Sequence, residues 1–133
     1  MKLTRRSEYA LLALTYLGRH PDEEWIPLSR IAEAQEIPLR YLEHLVTPMC
    51  RAGYLHSSKG QHGGYRLARQ PKAITLAEVI RLFDGALAPV ESVSKYFYQA
   101  TPIERERKML DLLGEIRDYV ARRLEKTTLG DIL

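Results

Sequence analysis

Apolar residues along the chain fall at helical spacing in five places and at strand spacing in two short ones. Tyr9, Ala10, Ala13, Leu14 and Leu17 recur at intervals of three and four, with Leu11, Leu12 and Tyr16 added. This predicts a mostly buried helix capped by Thr4 and closed by Gly18. Pro21-Asp22-Glu23-Glu24 is a turn, and Trp25-Ile26-Pro27 allows only a short edge strand that needs a partner. Leu28 to Gln35 forms a short helix with Ile31 and Ala32 inward, and a second helix opens at Pro38 after Glu36-Ile37. Two helices joined so tightly form a helix-turn-helix. In the second helix Leu42, Leu45, Val46 and Met49 face the core, and Arg40, His44, Thr47 and Arg51 form a polar stripe opposite. Pro48 cannot donate to the His44 carbonyl, so a bend is expected there, or a new turn capped by Thr47.

Gly53 ends that helix, and Tyr54–Ser58 and Tyr65–Leu67 read as strands around Lys59-Gly60-Gln61-His62-Gly63-Gly64. Such a tip has little side-chain bulk. It fits an ordinary surface hairpin, or a basic wing whose Lys59, His62 and Arg66 approach a phosphate backbone or a narrow groove.

Thr75 and Glu78 form a capping box for a helix with Leu76, Val79, Ile80 and Phe83 inward, up to Asp84-Gly85. Residues 86–101 have no clear period and contain Tyr96-Phe97-Tyr98, read as packing against the following helix or as the wall of an effector site. A second capping box, Thr101 to Glu104, starts a helix expected to run to Lys126, about 35 Å. Its apolar stripe includes Met109, Leu110, Leu112, Leu113, Ile116, Tyr119, Val120 and Leu124. A helix of this length overhangs a small domain, so the stripe either folds back or pairs with a second copy. Leu110, Leu113, Ile116, Tyr119, Val120 and Leu124 are the expected dimerisation residues. Thr128 to Leu133 begins one more short helix. The resulting architecture is mainly α with a small β-wing: a winged helix-turn-helix domain over residues 1–85, then a connecting segment, a dimerisation helix and a short terminal helix over 86–133.

Charge sharpens this picture. Residues 38–72 carry Arg40, Arg51, Lys59, Arg66, Arg69 and Lys72 against the single acid Glu43, whereas residues 73–133 carry nine basic and ten acidic residues. A positive field confined to the middle third suits a polyanion partner, with a solvated basic face as the plainer alternative. The single cysteine, Cys50, excludes an intramolecular disulfide and is expected to be packed rather than redox-active. His20, His44, His56 and His62 lack metal-ligand spacing. No nucleophile, base and orienting acid converge, so catalysis is not expected. The chain reads as soluble and cytoplasmic, with no signal peptide and no membrane association.

These residues resemble the IscR/BadM-like family of winged helix-turn-helix transcription regulators over nearly the whole chain. The likeness rests on Leu3-Thr4 with Tyr9-Ala10-Leu11, Leu28 with Ile31-Ala32 and Ile37, and Tyr41-Leu42-Glu43 with Ala52-Gly53. It continues through Gly60, Gly63-Gly64-Tyr65-Arg66-Leu67, Ile74-Thr75-Leu76 and Thr128-Leu129. The resemblance implies a homodimeric regulator of double-stranded DNA, a repressor of a palindromic operator, with Tyr41 and Glu43 in the major groove and Lys59-Gly60 in the minor groove. Added to the charge pattern, it gives a candidate interface of Thr4, Tyr9, Arg40, Tyr41, Glu43, His44, Arg51, Lys59, Gly60 and Arg66. Arg40, Arg51, Lys59, Arg66 and Thr4 are assigned to phosphates, and Tyr41, Glu43 and His44 to base edges. Family members that bind an iron-sulfur cluster carry three cysteines between the Asp84-Gly85 turn and the long helix. Residues 86–101 here have none, which predicts a member without a cluster or other cofactor. Pro38, Glu36 and Lys59 also depart from the serine, glycine and arginine frequent in the family. A dimeric adaptor for protein contacts is the alternative reading, and the signal, whether an effector or a partner protein, is not identified.

Overall fold

The computed structural model describes residues 1–133. Its helices are α1 (Arg5–Gly18), α2 (Leu28–Ala34), α3 (Leu39–Arg51), α4 (Leu76–Asp84) and α5 (Arg107–Lys126). The two strands are β1 (Leu55–Ser58) and β2 (Gly64–Leu67), and one-turn 3-10 segments occupy Pro71–Ala73, Glu91–Val93, Pro102–Arg105 and Leu129–Ile132. The chain is mainly α with a small antiparallel β-wing, the expected class.

Both helices of the helix-turn-helix end in the same device. At the close of α2 the Ile37 amide donates to the Ala32 carbonyl (2.9 Å) and that of Glu36 to Glu33. Glu36 itself adopts a left-handed backbone, φ 54°. At the close of α3 the Tyr54 amide donates to Met49 (2.9 Å) and the Gly53 amide to Cys50 (3.0 Å), with Gly53 at φ 84°. Each is a Schellman motif, in which a left-handed residue turns the chain while the last carbonyls are satisfied. Buried Ile37 and Tyr54 then fold onto the core.

The core joins Ala10, Leu14 and Leu17 of α1 to Leu42, Leu45 and Met49 of α3, with Ile26, Ile31, Ile74 and Val79. Burial in α3 keeps it one continuous helix through Pro48. The expected new turn with Thr47 as its cap does not form. Proline's fixed φ is itself helical, so the loss is confined to one hydrogen bond at His44, and Leu45, Val46 and Met49 hold the two halves against α1.

The wing is registered by Leu55↔Leu67 through Ser58↔Gly64. Trp25-Ile26-Pro27 contributes one bridge, Ile26↔Tyr65, so the expected edge strand is a single pairing on β2. Two of the glycines there serve packing. A Cβ on Gly64 would lie 2.3 Å from the Ile26 carbonyl oxygen, and one on Gly63 2.1 Å from that of Ser58. Gly60 meets nothing within 4 Å but has φ +104°, which favours glycine at the tip.

The Thr75–Glu78 capping box forms as expected. The similar-looking Thr101–Glu104 does not cap the long helix: the Thr101 hydroxyl donates to Ser92 (2.6 Å), Pro102–Arg105 is a separate 3-10 turn, and α5 begins at Arg107. The helix is therefore 20 residues, about 30 Å. After α5 the chain returns to the first domain. Thr128 bridges Thr75, and Leu129, fully buried, joins the same core as Leu14 and Leu42. Residues 127–129 thus pair with residues 74–76 at the start of α4. No helix is long and apolar enough to cross a membrane.

Candidate nucleic-acid interface

On α3 the 3.6-residue period separates two faces cleanly. Leu42, Leu45, Val46 and Met49 are buried, whereas Arg40, Tyr41, Glu43, His44, Thr47 and Arg51 are exposed. No side chain caps the helix start. Pro38, in the N-cap position, has no side-chain donor or acceptor, which leaves the first-turn amides without a cap.

Tyr41 is held by Tyr9 of α1, which is half-buried; the rings meet edge to face with centroids 5.2 Å apart. The wing's root is fastened to the other end of α3. Tyr65 packs against the core there, its phenol pushed up in pKa by burial and then by the neighbouring Cys50 and Glu43. The five-residue tip, Lys59 to Gly63, extends beyond the last strand pair, with the Gly63 amide donating to Gly60 (3.1 Å).

Charge pairing decides which cations are available. The chain forms five ion pairs, and none involves Arg40, Arg51, Lys59 or Arg66. Arg69, counted in the basic middle third, donates to Glu78 at 2.7 Å and lies over the Tyr54 ring. Its charge is spent inside the domain. Arg66 is not ion-paired, but its guanidinium stacks over Trp25, 4.3 Å from the ring centroid. This ties it to the wing's root, beside a cleft lined by His20, Asp22, Glu23 and Glu24.

Thr4 does not match the expectation of a phosphate contact. Its hydroxyl donates to Asp84 Oδ1 (2.5 Å) and accepts from the Ser7 amide (3.4 Å), and its own amide donates to Asp84 Oδ2 (3.2 Å). A carboxylate so close opposes a phosphate. Asp84 carried no sequence signal, since its partners lie about eighty residues away.

Of the two readings of Tyr96-Phe97-Tyr98, packing is not what the structure shows, with exposures of 61%, 43% and 58%. Arg81 and Lys95 both lie over Tyr96, and Phe97 reaches Gly85. The expected dimerisation set is divided by α5. Leu110, Leu113, Val120 and Leu124 are half-buried on the domain side, where Leu124 packs on Ala77, Ile80 and Leu87 of the α4 region. Ile116 and Tyr119 are exposed and align with Met109 and Leu112 in one outward line.

Cys50 is half-buried, and burial pushes its thiol up in pKa, the opposite of a reactive thiolate. No three of the His, Cys, Asp and Glu side chains gather in a way that could hold a metal ion. Residues 86–101 offer only Glu91 among such side chains, so the donors present do not fit an iron-sulfur cluster.

Comparison with known proteins identifies the arrangement. Residues 3–133 match the Rrf2 family, described as iron-dependent transcriptional regulators. The HTH-type transcriptional regulator CymR of Bacillus subtilis is 35% identical over 132 residues, 99% of this chain and 89% of that protein. The regulator NsrR of Geobacillus kaustophilus is 33% identical over 135 residues, covering 100% of this chain and 90% of its own. The structure of B. subtilis CymR, described as that organism's global cysteine regulator, superposes with a TM-score of 0.79 at 33% identity, covering 99% of this chain and 95% of that one. The chain belongs to the Rrf2 family of helix-turn-helix transcriptional regulators.

Proposed function

We propose that this protein is a homodimeric repressor that binds a palindromic operator without an iron-sulfur cluster. The exposed face of α3 carries the reading: six polar or aromatic side chains stand on a helix whose opposite face is fully committed to the core. Arg40, Arg51 and Lys59 have no intramolecular counter-ion and hold the protein on phosphates. The uncapped first-turn amides of α3 add donors for a further phosphate. Tyr41, Glu43 and His44 face base edges. Glu43 is the discriminating one, since a carboxylate is repelled by phosphates but accepts from a cytosine amino group. Gly60 lets the tip enter a narrow groove without side-chain bulk.

The dimer is supported by α5. Met109, Leu112, Ile116 and Tyr119 are 46%, 50%, 44% and 60% exposed and follow the three-four spacing of a helix seam. A two-fold pair of recognition helices reads two inverted half-sites. Selection of bound fragments from the protein's own genome, followed by retardation assays across a salt series, tests this. Enrichment of an inverted repeat, with affinity falling steeply with salt, is expected. Salt-independent or absent DNA binding by a stable dimer would favour the adaptor reading.

A further inference from the structure

The side chain that joins the recognition half of the molecule to the 85–101 segment is Asp84. It ends α4, where a carboxylate opposes that helix's own dipole, and is turned instead onto the positive N-terminus of α1. Three donors converge on it: the Thr4 amide (3.2 Å), the Thr4 hydroxyl (2.5 Å) and the Ser7 hydroxyl (2.6 Å). Ser7 is fully buried, and Arg6 on the same turn lies over the Phe83 ring. The next residue, Gly85, turns the chain at φ 79° into the segment, and Phe97 packs on it. The N-terminal ammonium donates to Ala88, so the segment grips α1's leading residues from a second side. Met1, Asp84, Gly85, Ala88, Phe97 and Gln99 line one open cleft.

Five residues into α1, on the same rigid helix, stands Tyr9, whose ring abuts Tyr41. The Asp84 carboxylate is therefore joined, through Thr4 and Ser7, to the helix that supports Tyr41.

We propose that Asp84 is a positioning residue for DNA recognition, a latch whose hydrogen bonds to Thr4 and Ser7 set α1, and with it Tyr9 and Tyr41. The inference rests on the DNA-binding reading above. It differs from packing in general because it acts on discrimination between sequences, not on binding as such.

The test uses the full chain with its selected operator and with random duplex DNA at one salt concentration. Asp84→Ala is expected to weaken the operator by about tenfold while changing random DNA by less than about twofold, since the phosphate-holding cations are untouched. Ser7→Ala, which removes one of the three bonds, is expected to shift the same ratio in the same direction by less, and serves if Asp84→Ala does not fold. Val79→Ala, a cavity variant in the same helix, is expected to lower the melting temperature and leave the ratio unchanged. A double-mutant cycle of Asp84→Ala with Tyr9→Leu is expected to be non-additive. An unchanged ratio in both latch variants overturns the proposal. So does an equal shift in Val79→Ala, or strict additivity in the cycle. Failure of the unaltered protein to retain any DNA would instead refute the functional reading, so the two failures are distinguishable.

Discussion

Tyr9 of α1 and Tyr41 of α3 meet edge to face, their ring planes 83° apart. Tyr9 is half-buried and Tyr41 is 37% exposed, so one ring is anchored and the other is presented. An aromatic pair of this geometry contributes about 0.5–1.5 kcal/mol beyond burial. Tyr9→Leu is therefore expected to weaken operator binding by roughly two- to tenfold, with Tyr9→Phe close to the unaltered protein. Fluorescence anisotropy with labelled operator measures both. A Tyr9→Phe loss as large as that of Tyr9→Leu would show that the Tyr9 hydroxyl, not the ring, matters.

Glu36 occupies a left-handed position in the turn between α2 and α3, where a Cβ costs about 1–2 kcal/mol. Part of that gain returns as unfolded-state entropy when glycine is introduced. Glu36→Gly is expected to stabilise the protein by about 1 kcal/mol in denaturant unfolding. No gain, or a loss, would mean that the Glu36 side chain contributes something that compensates for the backbone.

Gly64 is constrained by space and Gly60 by backbone angle alone. Gly64→Ala must push Ile26 away and break the bridge between Ile26 and Tyr65. Gly60→Ala meets no neighbour. Thermal melts are expected to show a larger loss for Gly64→Ala than for Gly60→Ala, with the latter near 1 kcal/mol at most. Equal losses would contradict this assignment.

Glu78 is subject to burial, which pushes its pKa up. This is outweighed by the hydrogen bond from Arg69 and by those from the Thr75 amide and hydroxyl, so the net shift is downward. A carboxylate whose folded pKa is lowered contributes stability above its unfolded pKa and loses it as pH falls through the folded value. The melting temperature of the unaltered protein is thus expected to fall on acidification from about pH 5 to about pH 3. Glu78→Gln should be less stable near neutrality and lose less over that window. A parallel fall in both proteins would move the acid sensitivity elsewhere, with Glu23 and Asp131, also lowered, the next groups to replace.

Features set by local period and local hydrogen bonding were legible in the sequence. Leu42, Leu45, Val46 and Met49 against Arg40, His44, Thr47 and Arg51 divide α3 as the helical period requires. Thr75 and Glu78 cap α4 for the same reason. Thr101 and Glu104 show the same short pattern, yet Ser92 takes the Thr101 hydroxyl, an outcome fixed by tertiary contact. Pro48 read as a bend or a new turn, and the helix runs on through it because side-chain burial outweighs one lost backbone bond. On α5 two apolar lines share one spacing, and only packing against α4 decides that Leu124 turns inward while Tyr119 turns out. The exposed face of α3 and the glycine-rich tip that carry the candidate residues were legible too. The stacking of Arg66 on Trp25 and the bonding of Asp84 to Thr4 were not, since each joins residues far apart in the chain.

The central claim, that α3 reads sequence while the wing tip holds phosphates, is tested most directly by comparing Lys59→Ala and Glu43→Ala on the selected operator and on half-site variants of it across a salt series. Lys59→Ala is predicted to weaken every sequence alike and to reduce the salt slope by about one unit per protomer. Glu43→Ala is predicted to leave that slope unchanged and to relax discrimination at one base pair of each half-site, a change of about 1–3 kcal/mol. Equal losses for every sequence from both substitutions, with the same change in slope, would contradict it.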